Sequence, residues 1–473
     1  MSGTENKHRI SFITLTIIFF MWGFITVMND VLINTFGPLF NLSTTQLSYI
    51  QLSFFGTFLI VSLIYFLIST ISGKDPINKI GYKTGMGISL LICALGCGTF
   101  YFAGLNNSYG QFIISLFVLS IGVTLLQICA NPYATILGPE KTASSRLNLA
   151  QGLNSLGTTI GPIVGNILIY SVFSDGSKSV SSVGYTYMLY GVVFLVMAIV
   201  VFMSKFPPFK NETSISGGLE IFKNRNLVFG IVAIFFYVGA EVAVGSWIGR
   251  FSKEEHIMGL DEQSANYFLS FFWGGLMIGR LVGSVAMNQS YNGIKKYLKM
   301  TLISLAIFSV IWLANGLKVD KYGIAWVPLS FNEIKIYLLF MTINLFAFGI
   351  GKGKPARLIA VFSIINCILI IIGIISEGAL AFWAILGTGL FFSIGWSNIF
   401  ALSIKNLGKY TSQGSSLLVM AIFGGAIIPL IQGKIAEEFS IQLSFIVPLM
   451  AILYLIFFGI SGYKPNSAKK DNH

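Results

Sequence analysis

The chain has 473 residues, of which 55% are hydrophobic and 10% charged, and its mean hydropathy is +0.79. A soluble protein of this length cannot bury so much apolar surface, so the composition excludes a water-soluble globular protein and predicts an all-α polytopic membrane protein. The net charge of +12 would suit a nucleic-acid partner, but the distribution of the charges, described below, excludes that interpretation.

Apolar segments of membrane-spanning length follow one another along the whole chain. Six lie at about 11–37, 47–71, 84–104, 110–137, 146–173 and 185–204. Eight more lie at about 226–251, 263–288, 296–315, 334–351, 355–375, 378–404, 411–436 and 441–462. The sequence therefore predicts about fourteen helices, in an amino-terminal bundle (1–204) and a carboxy-terminal bundle (226–473), joined by a cytoplasmic linker (205–225).

The basic residues provide an independent test of this count. If the amino terminus is cytoplasmic and the spans alternate, 22 of the 30 lysines and arginines fall inside, 7 fall outside and Arg280 lies within a span. Such an asymmetry is typical of membrane topology. We therefore interpret the positive charge as a topology signal, with both termini cytoplasmic, and expect no nucleic-acid partner.

An internal repeat runs through the chain. A shift of 267 residues places Gly122 on Gly389, Asn131 on Asn398 and Gly157 on Gly424. Near the second span the offset is 218, which places Tyr49 on Tyr267. The 49 residues by which the offset grows have room for two extra helices. The pattern predicts two parallel six-helix repeats, as in major facilitator transporters, with an inserted helix pair at an undetermined place within 289–377.

Side-chain amides cluster in the fourth and fifth spans. Gln127 and Asn131 are four residues apart on one helix face, and Asn148, Gln151 and Asn154 follow at intervals of three. Lipid leaves an amide without hydrogen-bond partners, so these side chains must face other helices or water. They could simply join helices, but the whole cluster favours a cavity that binds sugar hydroxyls.

Three ionisable residues lie well inside predicted spans: Asp30, Glu241 and Arg280. Charge within the membrane is costly and by default suggests function. We predict that Asp30 couples transport to a cation and binds substrate, and that Glu241, at the corresponding place in the second half, shares these roles. Structural pairing with neighbouring helices is the alternative for each carboxylate. Arg280 is expected to have a structural or gating role, because its long side chain could reach the membrane interface.

The remaining candidates are weaker. Gln51 and Asn398 are expected to bind substrate hydroxyls, and Trp273 could stack on a sugar face, although core packing is common for such a residue. The four cysteines lie in apolar spans and are expected to be core residues, since their spacing does not suit a metal site. No phosphate-binding loop or nucleophile–base pattern occurs, so we predict a transporter driven by an ion or substrate gradient, not an enzyme.

Four stretches resemble one known family: WGFITVMND (22–30), IQLSFFGTF (50–58), the run with ANPY and SSRLNLAQ (125–162), and LGKYTSQGSSLLVMAIFGGAIIPLIQG (407–433). They are similar to the fucose–galactose–glucose:cation symporters of the major facilitator superfamily. The resemblance implies twelve core helices, alternating access and cation-coupled uptake of a monosaccharide. It also implies sugar binding and proton coupling for Asp30, and a place in the sugar site for Asn154.

Two positions depart from the fucose-permease branch of that family. Gln127 stands where that branch has glutamate, and Glu241 stands where it has glutamine. The pattern looks more like the glucose/galactose branch and leaves sodium coupling open, with a sodium ion near Asp30 or Glu241.

These observations together predict a symporter that imports a monosaccharide. A glucose- or galactose-like hexose is favoured, with fucose or N-acetylglucosamine as other candidates, and a proton is favoured over sodium as the coupling ion. An exporter of other small molecules is the alternative. We expect no cofactor and no bound metal beyond the transported cation. The expected partners are the sugar, the cation and membrane lipid, and we expect a monomer in a plasma membrane, the bacterial inner membrane being favoured.

Overall fold

The computed structural model describes residues 3–174, 179–208, 219–320, 323–327 and 329–465. Part of the predicted linker (209–218), Lys178, and the carboxy-terminal residues with Lys469 and Lys470 lie outside the described residues. The described chain is almost wholly helical. The helices before the linker are α1 (Gly3–Phe40), α2 (Thr44–Ser72), α3 (Pro76–Ile80), α4 (Tyr82–Leu105), α5 (Tyr109–Ile136), α6 (Ala143–Ile167) and α7 (Val180–Met203).

The second half contains eleven further helices and a short hairpin among the described residues. They are α8 (Arg225–Lys253), α9 (Glu262–Ala286), α10 (Gly293–Asn315), β1 (Leu317–Asp320), β2 (Gly323–Trp326), α11 (Phe331–Gly351), α12 (Pro355–Ile375), α13 (Gly378–Phe392), α14 (Gly395–Ser403), α15 (Thr411–Met420), α16 (Gly424–Glu438), α17 (Ile441–Ser444) and α18 (Ile446–Phe457). The pairs α13–α14, α15–α16 and α17–α18 each form one span interrupted by a bend.

Thirteen spans in the described part of the chain are long and apolar enough to cross a membrane, and α6 is the fourteenth. Its 25 residues extend for about 38 Å, which exceeds the roughly 30 Å hydrocarbon core. The polar residues Asn148, Gln151 and Asn154 lower its hydropathy. Because α6 packs against α1 on one side and α9 on another, these side chains are kept from lipid. The prediction of about fourteen helices is confirmed.

Glycines at matching places of the repeat allow two helix pairs to approach closely. A Cβ built on Gly157 in α6 would lie 2.1 Å from the Phe20 carbonyl oxygen of α1. A Cβ on Gly424 in α16 would lie 2.1 Å from the Phe235 carbonyl oxygen of α8. Any side chain at either position would force the helices apart. The α1–α6 and α8–α16 contacts are therefore equivalent, as the repeat predicts.

The two halves also correspond in how their outer helices pack. In the first half α4 packs against α5 and α7. In the second half α12 packs against α13 and α18, whereas α10 packs mainly against α9. The helix that occupies the place of α4 is therefore α12.

Two short strands interrupt the helical pattern. β1 and β2 pair antiparallel between α10 and α11, with Leu317 opposite Trp326. This hairpin was not predicted from the sequence. Its ends are fixed by two indoles: Trp312 Nε1 donates to the Leu329 carbonyl at 2.8 Å and Trp326 Nε1 to the Leu313 carbonyl at 3.0 Å.

The loops form two faces of the bundle. The face on which α1 begins, called here the basic face, consists of residues 73–81, 137–142, 204–208, 219–224, 287–292, 351–354 and 404–410. The opposite face carries the other connections, including 41–43, 106–108, 254–261 and 376–377. All four cysteines are free and buried between these faces, as predicted.

Candidate functional site

Asp30 is accessible in an otherwise buried stretch of α1. Its neighbours Asn29 and Val31 are 3% and 5% exposed, whereas Asp30 itself is exposed. Gln51 Nε2 in α2 donates a hydrogen bond to Asp30 Oδ1 at 3.1 Å. Asp30 lies ten residues, or about 15 Å, from the end of α1 at the opposite face. The carboxylate is thus deep in the bundle and still reachable.

Both residues belong to helix sides that turn towards the second half. Trp22, about two turns before Asp30 in α1, makes an edge-on contact with Trp396 of α14 in the second half, with ring centroids 6.5 Å apart. One turn beyond Gln51, the ring of Phe55 lies 3.8 Å from a Cβ built on Gly425 in α16. Asp30 and Gln51 therefore border the space between the halves.

Glu241 and Arg280 form a buried ion pair. Each residue is 8% exposed, and Arg280 Nη2 lies 3.4 Å from Glu241 Oε1. Asp75, Glu241 and Arg280 are the buried charged residues that the structure describes. We had expected the side chain of Arg280 to reach the membrane interface, and this expectation is wrong. Its partners hold the side chain inside the bundle.

Arg280 also joins the two halves. Its Nη1 donates to Ser155 Oγ of α6 at 2.6 Å, and its Nε donates to the Ser393 carbonyl that follows α13 at 3.1 Å. One guanidinium therefore contacts the first half, the second half and the Glu241 carboxylate. Ser155 was not predicted from the sequence, although its position one turn beyond Gln151, on the amide-bearing face of α6, is the signal that could have identified it.

The predicted amides of the fourth and fifth spans come together in two groups. Asn131 Nδ2 donates to the Gln127 carbonyl at 3.0 Å and Asn131 Oδ1 accepts from Gln151 Nε2 at 3.4 Å. Across the halves, Asn148 Nδ2 donates to Asn398 Oδ1 at 3.0 Å. All five are at most 4% exposed.

Several atoms of these amides have no partner among the described residues. Both side-chain polar atoms of Gln127, Asn148 Oδ1 and Asn398 Nδ2 are buried and without a hydrogen bond. An unpaired buried polar group costs about 1–3 kcal/mol, so groups of this kind are rare and call for an explanation. The unpaired atoms give these amides free capacity to bind hydroxyl groups.

Asn154 has a different neighbourhood. It is 8% exposed, and its Nδ2 donates to the Phe19 carbonyl of α1 at 3.0 Å. A Cβ built on Gly23 would lie 2.0 Å from the Asn154 carbonyl oxygen. This residue thus helps to hold α1 against α6.

Trp273 lies in α9, seven residues from Arg280 and therefore on the same helix face. It is 36% exposed and its ring packs beside Gly245 of α8, where a built Cβ would lie 2.6 Å from the ring. It stands about two turns nearer the opposite face than Arg280.

Hydrogen bonds between the halves gather towards the basic face. Ser145 Oγ donates to the Ser284 carbonyl at 2.6 Å, Tyr82 and Ser412 are joined through their hydroxyls at 3.0 Å, and Gln413 Nε2 donates to Thr70 Oγ1 at 2.8 Å. Lys405 forms an ion pair with Glu140 at 3.1 Å, and Asn78 Nδ2 donates to the Lys409 carbonyl at 2.9 Å. The halves are therefore joined at the basic face.

Asp75 organises part of that closure and was not considered in the sequence analysis. It is 3% exposed and caps α3, accepting hydrogen bonds from Tyr65 Oη at 2.8 Å and from the Asn78 amide at 3.0 Å. Burial raises the pKa of this carboxyl above its ordinary value of 3.8. Its sequence context, a charged loop, gave no sign that it would be buried.

Two duplicated helical bundles that meet around an accessible carboxylate and a set of buried amides define a membrane protein of transporter architecture. Residues 10–374 match the model of the Major Facilitator Superfamily. The chain belongs to this superfamily.

Curated relatives match nearly the whole chain. It is 36% identical to the glucose/galactose transporter of Brucella abortus over 469 residues, with 98% of this chain and 96% of the relative covered. It is 27% identical to the L-fucose–proton symporter of Escherichia coli, with 97% and 94% covered. A crystal structure of the transporter FucP in the outward conformation matches with a TM-score of 0.72 at 25% identity, covering 96% of this chain and 98% of that one. The resemblance to the fucose–galactose–glucose symporters is confirmed.

Proposed function

We propose that this protein imports a monosaccharide across the plasma membrane by cation symport and alternating access. The observation that carries the proposal is the accessible Asp30, which is hydrogen-bonded to Gln51 on the border between two duplicated halves. A membrane-embedded carboxylate in contact with water can load and release a proton, which a structural carboxylate sealed among helices cannot. The names of the relatives support a sugar as substrate, with glucose or galactose favoured.

The proposed sugar site has an accessible and a buried part. Asp30, Gln51 and Trp273 form the accessible part, and the Trp273 ring supplies a surface on which a sugar could stack. Glu241 and the amides of Gln127, Asn131, Gln151, Asn154 and Asn398 lie deeper. The unpaired donors and acceptors of Gln127 and Asn398 match the hydroxyl groups of a hexose.

The proposed coupling ion is a proton, carried by Asp30. The name of the Escherichia coli relative supports this choice. Glu241 differs from Asp30 because Arg280 compensates its charge. We therefore propose that Glu241 contributes to coupling as a second carboxylate through the making and breaking of its ion pair with Arg280.

The proposed state of the molecule is outward-facing. The basic face is the cytoplasmic face under the positive-inside rule, and the hydrogen bonds between the halves close it. Arg280 is proposed as the latch of this closure, since its bond to Ser155 must break when α6 and α9 separate. The added helix pair is proposed to be α10 and α11, because α12 takes the place that α4 holds in the first half.

Uptake into vesicles tests the function directly. Purified protein in liposomes is given labelled glucose, galactose, fucose and N-acetylglucosamine under an imposed proton or sodium gradient. We expect one hexose to accumulate against its gradient when the outside is acidic, and sodium to have no effect at constant pH. Accumulation that requires sodium would reject proton coupling, and a lack of uptake of every sugar would reject the substrate class.

A further inference from the structure

A dense group of positive charges lies where α10 begins and where α11 turns into α12. It comprises Lys295, Lys296, Lys299, Lys352, Lys354 and Arg357, and is called here the α10–α12 basic cluster. The two chain segments meet in space: a Cβ built on Gly353 would lie 3.9 Å from Lys296 Nζ, and one built on Gly349 would lie 3.5 Å from the Tyr297 hydroxyl. Residues about 55 positions apart therefore form one surface.

The charge of this cluster is uncompensated. All of its members except the half-buried Lys296 are exposed, and none forms an ion pair with a described residue. Between residues 263 and 376 the sequence has two acids, Asp320 and Glu333, and both lie near the opposite face. Other loops of the basic face contain their own partners, as in Lys405 with Glu140 and Lys223 with Glu220.

The backbone supplies hydrogen-bond donors beside the cluster. α10 and α12 both begin in the cluster, and neither Asn292 nor Lys354 caps its helix with a side-chain hydrogen bond. The N–H groups in the first turn of each helix, apart from Pro355, which has none, consequently stay available to an anion. Lys299 is held in place by Tyr291, whose hydroxyl accepts from Nζ at 2.7 Å and whose ring centre lies 4.0 Å from it.

An apolar stripe leads from the cluster into the membrane. Ile294, Leu298 and Leu302 are spaced by four residues on one face of α10 and are 81%, 59% and 58% exposed. A positive surface joined to such a stripe suits an amphiphile with an anionic head and acyl chains. A small soluble anion would use only the positive part.

We propose that the α10–α12 basic cluster binds the phosphate headgroup of an anionic phospholipid of the inner leaflet, with its acyl chains along the exposed stripe of α10. Basic clusters just cytoplasmic of a span attract such headgroups. The assignment to the inner leaflet follows from the proposed orientation, but binding itself is independent of sugar transport. The added helix pair would thus attach the second half to a particular class of lipid.

Native mass spectrometry of the purified protein in detergent tests this proposal, with phosphatidylglycerol and phosphatidylcholine titrated in turn. We expect tighter binding of phosphatidylglycerol. The variant Lys295→Gln/Lys296→Gln/Lys354→Gln should weaken it about 100-fold, since each cation near an anionic surface contributes about fivefold, with binding of phosphatidylcholine unchanged. The variant with arginine at the same three positions should retain the preference and controls for folding.

The matched control removes three exposed lysines elsewhere on the basic face, in Lys74→Gln/Lys79→Gln/Lys141→Gln, and should leave phosphatidylglycerol affinity within about threefold of the parent. An equal loss in this control would overturn the site, because net charge alone would then govern binding. Competition by millimolar glycerol 3-phosphate would also overturn it, in favour of a small-anion site. Equal affinity of the parent protein for phosphatidylglycerol and phosphatidylcholine would likewise overturn the proposed lipid site.

Discussion

Replacing Ser155 with alanine should loosen the closure of the basic face. Ser155 Oγ accepts a hydrogen bond from the Arg280 guanidinium at 2.6 Å, and this bond joins α6 of the first half to α9 of the second. A hydrogen bond to a charged group contributes about 1.5–3 kcal/mol. Because the bond exists only while α6 and α9 are in contact, its loss should shift the balance towards the inward-open state by about 10- to 150-fold.

The separation of the halves can be measured with spin labels. Cysteines placed at Lys141 and Gln289 lie on the basic face, one in each half, and the four native cysteines are buried. Double electron–electron resonance in liposomes should reveal an added population at longer distance in the Ser155→Ala variant. The same variant should release bound sugar to the inside more readily.

Thr159→Ala is the matched control. Its hydroxyl donates to the Ser155 carbonyl within α6 at 2.9 Å, so the substitution removes a hydroxyl from the same helix without touching the contact between halves. Equal distance distributions in the two variants would refute the assignment of Arg280 as a latch. An Arg280→Lys variant should resemble Ser155→Ala, since a lysine cannot bond Ser155, Glu241 and the Ser393 carbonyl together.

Three further predictions concern single side chains. Asp30→Asn should abolish accumulation against a gradient while sugar exchange continues, because an amide cannot carry the proton; counterflow and uphill uptake measured side by side check this, and unchanged accumulation would reject the coupling role. Asn154→Ala should weaken sugar binding and lower the free energy of unfolding by about 1 kcal/mol, through loss of the bond to the Phe19 carbonyl; a calorimetric affinity equal to that of the parent would remove Asn154 from the site. Burial raises the pKa of Asp75, so the fold favours the neutral carboxyl, and stability should fall as pH rises from about 4 through the raised pKa. Melting temperatures of the parent and of Asp75→Asn over this range test the last prediction, since the variant should lack this pH dependence.

Much of the architecture could be predicted from the sequence, because a membrane imposes strict rules on length and charge. The position of α6 shows how the two kinds of signal complement each other. Its mean hydropathy is too low for α6 to be recognised as a membrane span from hydropathy alone. The helical spacing of its amides nevertheless identifies it as a span that is surrounded by other helices. The repeat likewise follows from residue identities such as Gly157 and Gly424, whose lack of a side chain the close helix contact requires.

The place of the added helix pair could not be read from the repeat. With the smaller offset α4 falls on α10, and with the larger one it falls near α12. The packing of α12 against α18 distinguishes these alternatives, and such packing has no signature in a single sequence. The hairpin between α10 and α11 was missed for a different reason: its strands are only four residues long, too short to give a clear alternating pattern.

The partners of the candidate site residues were harder to foresee. Arg280 and Ser155 are 125 residues apart, and no periodicity connects them. Glu241 was expected to mirror Asp30. However, Arg280 of the neighbouring helix α9 pairs with Glu241, whereas Asp30 has no such cation among the described residues and is accessible. Residue type and spacing identify which side chains are polar within a span, whereas the tertiary contact determines which of them are compensated.

The glycine contacts within each half indicate which helices move together as a rigid unit. At Gly157 and Gly424 backbone touches backbone, and two surfaces this close cannot slide without a clash. The α1–α6 and α8–α16 pairs are therefore expected to travel as rigid units. The contact between α6 and α9 combines packing of Leu281 against Gly152 with hydrogen bonds made by Ser145 and Arg280, and these bonds can exchange partners with water. Transport would then require that this junction and the other hydrogen bonds between the halves at the basic face open and reform, while the interior of each half keeps its shape.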